Sequence, residues 1–449
     1  MLINNDNLIN YINTSSIRRV KINGLFGTNN IDITFDSSVN IFVGENGLGK
    51  TTILSCIYFL LTGNLEKLYE INFKSIAVFF YDDEKEYKVY NKVYNKLYDK
   101  KLISQNFKYY ENYQRSLRNA LAHGDDNLIR IYLNSFNEKN KNYIIGINET
   151  IEANIKRIEE IKNKIKERIL YLPTYRRIEA NLDSELLHDL PIYDTEDFLI
   201  KFGMDDVKEL IDKTIDKIRK SAIDGFNEMN SILLTEYTNN KYKNKISENE
   251  FNYNEIEVLL NKIGVKINPK TKNEILRLIK TKEIYNSEYI YLKNFLNLLY
   301  NNSEKQRVFD HRLIDFVNLC NKYFINKEIV YDPNTLKLDL YLVNKKSNSN
   351  KKIKFSELSS GEKQIVSIFS KLYLENIDTD QKFIVIIDEP ELSLSLNWQE
   401  KLLPDIMNTN KCSLLITVTH SPFIFRNKFD GFAKDIKKFI KINGDIIND

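Results

Sequence analysis

The chain has 449 residues, 42% of them hydrophobic, with 65 basic side chains against 62 acidic ones and a formal net charge of +3. That length exceeds one ordinary core, so two lobes or domains are expected; the near balance of charge excludes strong polyanion affinity from the total and leaves nucleic-acid binding to a local patch. Cys56, Cys320 and Cys412 stand far apart without a C-x-x-C pair, no apolar run approaches the ~18–20 residues of a membrane span, and residues 1–6 lack the charged-then-apolar order of a signal peptide. A disulfide framework, a zinc knuckle and a membrane partner are therefore not expected, and a reducing cytoplasm is the expected compartment.

Residues 17–22 and 31–35 alternate apolar and polar, and 39–43 form a short apolar run, so all three read as strands. The third leads into Gly44-Glu45-Asn46-Gly47-Leu48-Gly49-Lys50-Thr51, which fits the phosphate-loop pattern G-x-x-x-x-G-K-[ST] without a mismatch. Its glycines let backbone N–H groups converge on phosphate oxygens, Lys50 adds a positive charge, and the Thr51 hydroxyl is placed to ligate Mg²⁺. Gly44, Asn46, Gly47, Gly49, Lys50, Thr51 and Thr52 are the candidate ATP ligands here. A helix is expected over 51–62, its N-terminus favouring the anion.

Residues 76–80 and 87–90 read as a hairpin. The segment 85–101 carries six lysines against Glu86 and Asp99, interleaved with tyrosines. That pattern suits either a nucleic-acid surface or a solvated face, with the solvated face preferred. Ile144, Ile147, Ile151, Ile155, Ile158, Ile161 and Ile165 mark an amphipathic helix, followed by a strand over 169–172 that leaves at Pro173. Residues 205–325 are helical in pattern, with polar breaks near 238–250 and 266–272, too interrupted for a long coiled-coil arm. Residues 329–331 and 336–342 return to strand, and 345–352 read as a polar, lysine-rich turn.

Leu358-Ser359-Ser360-Gly361-Glu362 precedes a helix over 362–374, and small residues at a helix N-terminus suit an anion; Ser359 and Gly361 are its candidate ligands. The apolar run 383–387 ends in Asp388 and Glu389. Asp388 is the candidate Mg²⁺ carboxylate with Thr51, and Glu389 the candidate base for the attacking water. Residues 413–418 read as the last strand, closed by Thr419-His420-Ser421-Pro422, with His420 falling 32 residues after Asp388.

Together these segments resemble the ABC-type ATPases. The resemblance implies an α/β fold: an ABC-type P-loop NTPase head with a mixed sheet and a helical insertion between Walker A and signature. Residues 1–110 are expected as the N-terminal lobe with the P-loop. Residues 111–325 are expected as a mainly helical insertion with one head strand returning near 169–173, and 326–449 as the C-terminal lobe with signature, Walker B and H-loop. It implies catalytic roles for Glu389 and for His420, which would contact the γ-phosphate. It also implies a head-to-tail dimer in which Ser359 and Gly361 complete the partner's ATP site. Ser360 stands where the usual signature has its first glycine and Ser395 where many such dimers have an Asp. The Q-loop has no clear match, although residues 171–177, with Arg176 and Arg177, fall in its place.

Ser359 follows Lys50 by 309 residues, a longer insertion than transporter ATPases carry, so the chain is more similar to SMC, RecF and OLD-type ATPases. Glu389-Pro390-Glu391 resembles the OLD-like E-P-E. Segments 355–369, 385–403 and 418–425 are most similar to ATPases of anti-phage systems, PARIS-type first and Septu-type second. That implies a separate effector nuclease, expected to be Toprim-type, a phage-derived trigger, and assembly to a dimer or as far as a hexamer. The alternative is a DNA-repair clamp of RecF or SMC type. Asp378 and Asp380 form a D-x-D as Toprim sites use, but a polar loop is the preferred reading. The chain ends about thirty residues after His420, so no fused nuclease is expected.

Overall fold

A computed structural model describes residues 11–45, 47–91, 141–174, 204–238, 251–263, 268–333, 335–344, 349–375, 379 and 381–442. The chain divides into two compact units, Met1–Leu199 with Gln381–Asp449, and Ile200–Asp380.

The first unit begins with β1 (Ile17–Leu25), β2 (Asn29–Thr34) and β3 (Val39–Val43), the first two expected from alternation and the third from its apolar run. Helix α1 (Lys50–Thr62) follows the phosphate loop. Ile53, Leu54, Ile57, Leu60 and Leu61 are all buried, so it is a core helix rather than an amphipathic surface one. It stops at Gly63, whose left-handed φ of 72° lets the Gly63 and Asn64 amides reach back to Leu60 and Phe59 carbonyls. A short α2 (Leu65–Tyr69) leads to the hairpin β4 (Ser75–Phe80) and β5 (Tyr87–Tyr90). Helix α3 (Lys141–Lys164) carries the isoleucine stripe, with Ile158 and Ile161 in the core. Asn154 interrupts the stripe for a reason: fully buried, it exchanges hydrogen bonds with the backbone of Tyr90 and so fastens α3 to β5. Strand β6 (Arg168–Leu172) ends this part.

The second unit holds the long α4 (Asp205–Thr238), then α5 (Tyr253–Ile263), α6 (Pro269–Lys280) and α7 (Ile290–Asn321). The break expected over 266–272 is shorter than its composition implied. Asn268 is the N-cap of α6, its side chain accepting from the Lys270 amide, and Pro269 occupies the first turn, where a missing N–H costs nothing. Met229, Ile256, Leu260, Leu276, Ile279 and Leu296 join these helices in one core. An antiparallel sheet follows: β7 (Lys327–Asp332), β8 (Lys337–Asn344) and β9 (Ser349–Ile353). β9 takes residues expected as a turn, because pairing with β8 rather than apolar patterning defines this edge strand. The Asn321 side chain brackets Ile329 through its N–H and C=O, both at 2.8 Å, tying α7 to β7. Helix α8 (Ser360–Leu374) closes the unit.

The chain returns to the first unit with β10 (Phe383–Asp388), α9 (Leu396–Asn408) and β11 (Cys412–Thr419). β11 is not the last strand: β12 (Ala433–Asp435) and β13 (Ile440–Ile442) follow. Each is three residues long, too short to register as a periodic pattern, and each is specified by its neighbour, β3 and β2 respectively. The unit thus has an antiparallel sheet in the order β13-β2-β1-β4-β5 and a parallel one in the order β12-β3-β11-β10-β6. Every residue of β10 and β11 is buried, as the central strands of a two-side-covered parallel sheet must be. Ile22, Phe35, Ile57, Leu60, Ile384, Leu414 and Val418 belong to one core that unites both sheets with α1. The fold is therefore α/β with parallel and antiparallel sheets. Cys56, Cys320 and Cys412 are buried free thiols. Among the described residues, no helix is long and apolar enough to cross a membrane.

Candidate functional site

The loops after β3, β10, β11 and β6 leave the same end of the parallel sheet, where such sheets collect their ligands. After β3, Gly47 at φ 90° and Gly49 at φ 76° turn the chain into α1. A side chain at Gly49 would be strained by that φ, and its Cβ would come within 2.6 Å of the Phe26 ring. The first turn of α1 contains no acidic residue, which leaves its positive end open to an anion.

Lys50 is nearly buried. Its Nζ donates to the Glu45 carbonyl at 2.8 Å and lies 2.7 Å from His420 Nε2. Burial pushes the ammonium below its ordinary value, against the attraction of Glu389, Asp388 and Glu391. Asp388, 2% exposed, ends β10. Its Oδ2 accepts from both Thr51 Oγ1 and Thr174 Oγ1, each at 2.7 Å. Its Oδ1 is buried and has no hydrogen-bond partner. An orphaned carboxylate oxygen is costly, and here both hydroxyls hold the opposite oxygen. An all-oxygen set of carboxylate and hydroxyl fits a hard cation such as Mg²⁺. Among the described residues there is no cluster of three His, Cys, Asp or Glu able to hold a metal, so phosphate oxygens and water would complete that shell.

Glu389 has φ 49°, a left-handed conformation uncommon for a residue with a side chain. Its amide donates to the Val418 carbonyl at 2.9 Å, which pins it to β11. Its Oε1 lies 3.9 Å from His420 Nε2. Lys50, Thr51, Asp388, Glu389 and His420 are thus brought together, as the motifs required. Gly44, Gly47 and Gly49 line the same loop, and Thr52 is half-buried beside Thr51. Asn46, Arg176, Arg177, Asp378 and Asp380 lie outside the described residues, as does the lysine–tyrosine stretch beyond residue 91.

Ser359 and Gly361 belong to the other unit. Ser359 is the N-cap of α8 in a capping box: its amide and hydroxyl donate to Glu362 Oε2 at 2.7 and 2.9 Å, and its Oγ accepts from the Glu362 amide. Lys327 Nζ reaches the same Glu362 oxygen at 2.6 Å. Burial pushes the Glu362 carboxyl up, but Lys327 and Ser359 outweigh it and hold the group below its ordinary value.

Sequence reasoning left several neighbours of the site unassigned. Phe26, 48% exposed on the β1–β2 turn, lies over Gly49. Thr174 sits two residues past β6, in the segment that stood in for a Q-loop. Glu391, noted only as part of E-P-E, accepts hydrogen bonds from Thr419, His420 and Ser421. The E-P-E spacing signals Glu391, and the Q-loop position of residues 171–177 signals the segment of Thr174; Phe26 arises from a contact between segments far apart in the chain.

A family model described as AAA ATPase domain matches residues 16–425. The chain belongs to that family. It is accordingly an ATP-hydrolysing enzyme. Among solved structures, the ATPase is similar to an Smc head domain with an extended coiled coil bound to the C-terminal domain of ScpA, derived from Pyrococcus furiosus. Identity is 13%, with 92% of this chain and 91% of that chain covered and a TM-score of 0.34. It is also similar to an SmcHead bound to the C-winged helix domain of ScpA, at 12% identity, 91% and 90% coverage and a TM-score of 0.37. No curated protein matches the chain.

Proposed function

We propose that this ATPase is the sensor of a bacterial anti-phage defence system. ATP closes it into head-to-tail dimers, or assemblies as large as a hexamer, that hold a separate Toprim-type nuclease and release it on a phage-derived trigger. The observation that carries the nucleotide chemistry is the Asp388 carboxylate, with one oxygen held by Thr51 and Thr174 and the other buried without a partner. Thr51 and Asp388 would hold Mg²⁺, whose chemistry on binding is to neutralise charge on the β- and γ-phosphates. The P-loop amides and Lys50 bind the phosphates. Glu389 orients the attacking water and accepts its proton. His420 approaches the γ-phosphate, and Ser359 with Gly361 at the N-terminus of α8 serve the partner's site.

The defence role is supported by the resemblance of E-P-E and its flanks to PARIS- and Septu-type ATPases. A helical insertion over 205–325 with no assigned chemistry supports a docked effector. Two measurements test the two halves. Calorimetry on Lys50→Ala should show most Mg·ATP affinity lost, and unchanged binding would remove the P-loop assignment. Co-expression with the adjacent gene product should yield a stable complex whose phage protection disappears with Glu389→Gln. A monomer that co-purifies with no neighbour and is stimulated by DNA ends would replace the sensor by the repair clamp.

A further inference from the structure

The turn after β11 is fastened by one carboxylate. Glu391 Oε1 accepts from the His420 amide at 2.8 Å and the Ser421 amide at 3.1 Å, and Oε2 accepts from Thr419 Oγ1 at 2.8 Å. A second tie comes from α9. Ser421 Oγ donates to Gln399 Oε1 at 2.7 Å, and Gln399 Nε2 donates to the Leu394 and Glu391 carbonyls at 3.0 and 3.3 Å. Gln399 is buried. The end of this fastened turn is the His420 ring, 2.7 Å from Lys50 Nζ.

We propose that Glu391 is a positioning residue that holds His420 over the phosphate loop, with Gln399 bracing the same turn from α9. This rests on the ATP site proposed above. Three donors from three consecutive residues converge on a single side chain. Both Glu391 oxygens already hold this turn, which favours Glu389 as the water-activating base. The Lys50 contact bears on the ring's chemistry. An ammonium can only donate, so a protonated Lys50 requires Nε2 to accept, and the imidazole proton is expected on Nδ1. His420 therefore waits in one tautomer and one place, and arriving phosphate exchanges with it for Lys50.

The test separates the fastening from the charge. Glutamine at 391 can reproduce all three bonds: its carbonyl accepts from both amides, and its NH₂ donates to the Thr419 hydroxyl. Alanine reproduces none. The chain has four histidines, so ring nitrogens of the ¹⁵N-labelled, nucleotide-free protein can be resolved, with His420→Gln assigning the signal. Wild type should show His420 as the Nδ1–H tautomer. Glu391→Ala should give an averaged ring, and kcat should fall about tenfold to a hundredfold from misplacement alone. The same variant should bind ATP without Mg²⁺ as wild type does. Glu391→Gln should restore both the tautomer and most of kcat. A glutamine variant as impaired as the alanine one overturns the proposal, because charge would then be what matters. So does an alanine variant with an unchanged His420 signal and normal kcat. The spectra are recorded without nucleotide, so they judge the fastening even if Lys50→Ala were to leave ATP binding intact and remove the ATP site itself.

Discussion

At Glu389, a strained backbone and the proposed reactive role coincide. A left-handed residue with a side chain persists only where its surroundings over-determine it, and here the ladder to Val418 does so. Glu389→Gln keeps the shape and removes the base. It should bind Mg·ATP as wild type does while kcat falls by about 10²–10⁴, measured by phosphate release. Wild-type turnover in that variant would move the base to Glu391 or to a partner residue. Phe26 makes a different prediction. Its exposed ring beside Gly49 offers a π-face on which the base of a nucleotide held by the loop could stack. Phe26→Ala should weaken ATP by about 1–3 kcal/mol, the range for one base on an aromatic ring, and leave inorganic triphosphate binding unchanged. Equal losses for both ligands would show that the ring supports the loop instead.

Helix α8 is tied to β7 by an ion pair. Lys327 on β7 and Glu362 on α8 are 2.6 Å apart, with side chains only 15% and 9% exposed. The folded Glu362 lies below its ordinary value, so its stabilisation is complete above the usual glutamate pKa of about 4.3 and disappears as pH falls through the lower folded value. Lys327→Ala should cost about 3 kcal/mol near neutrality, the low end for breaking a nearly buried pair. It should also shrink the acid-side drop in thermal stability, which melting curves across pH 3–7 would reveal. Most of the elements could be read from periodicity, because β1, β2, β10, β11 and α3 carry dense local patterns. β9, β12 and β13 could not: Ser349–Ile353 is polar, and three-residue strands have no period to read. The same division applies to the site. The P-loop, Asp388-Glu389 and His420 are contiguous motifs. Phe26 reaches the site only through a hairpin turn, which no linear pattern records, and the segment of Thr174 is marked by its place in the chain without a role for that residue.

For the whole molecule, the proposed dimer requires Lys50 of one copy to act with Ser359 of another. Lys50→Ala and Ser359→Arg proteins, each inactive alone, should regain turnover when mixed. Random pairing of an isologous dimer gives roughly a quarter of the wild-type rate if sites act independently, since half the dimers then carry one intact site. A mixture as inactive as its parents would remove independent trans sites.

The buried thiols have a practical consequence. Burial pushes Cys56 and Cys412 up to about 12, and raises Cys320 as well. Deprotonation, and hence alkylation, is suppressed until the surrounding structure opens. Cys56 and Cys412 lie in the first unit and Cys320 in the second. Native-state alkylation therefore supplies each unit with its own built-in clock. The residue modified first identifies which unit opens first, without a single engineered label.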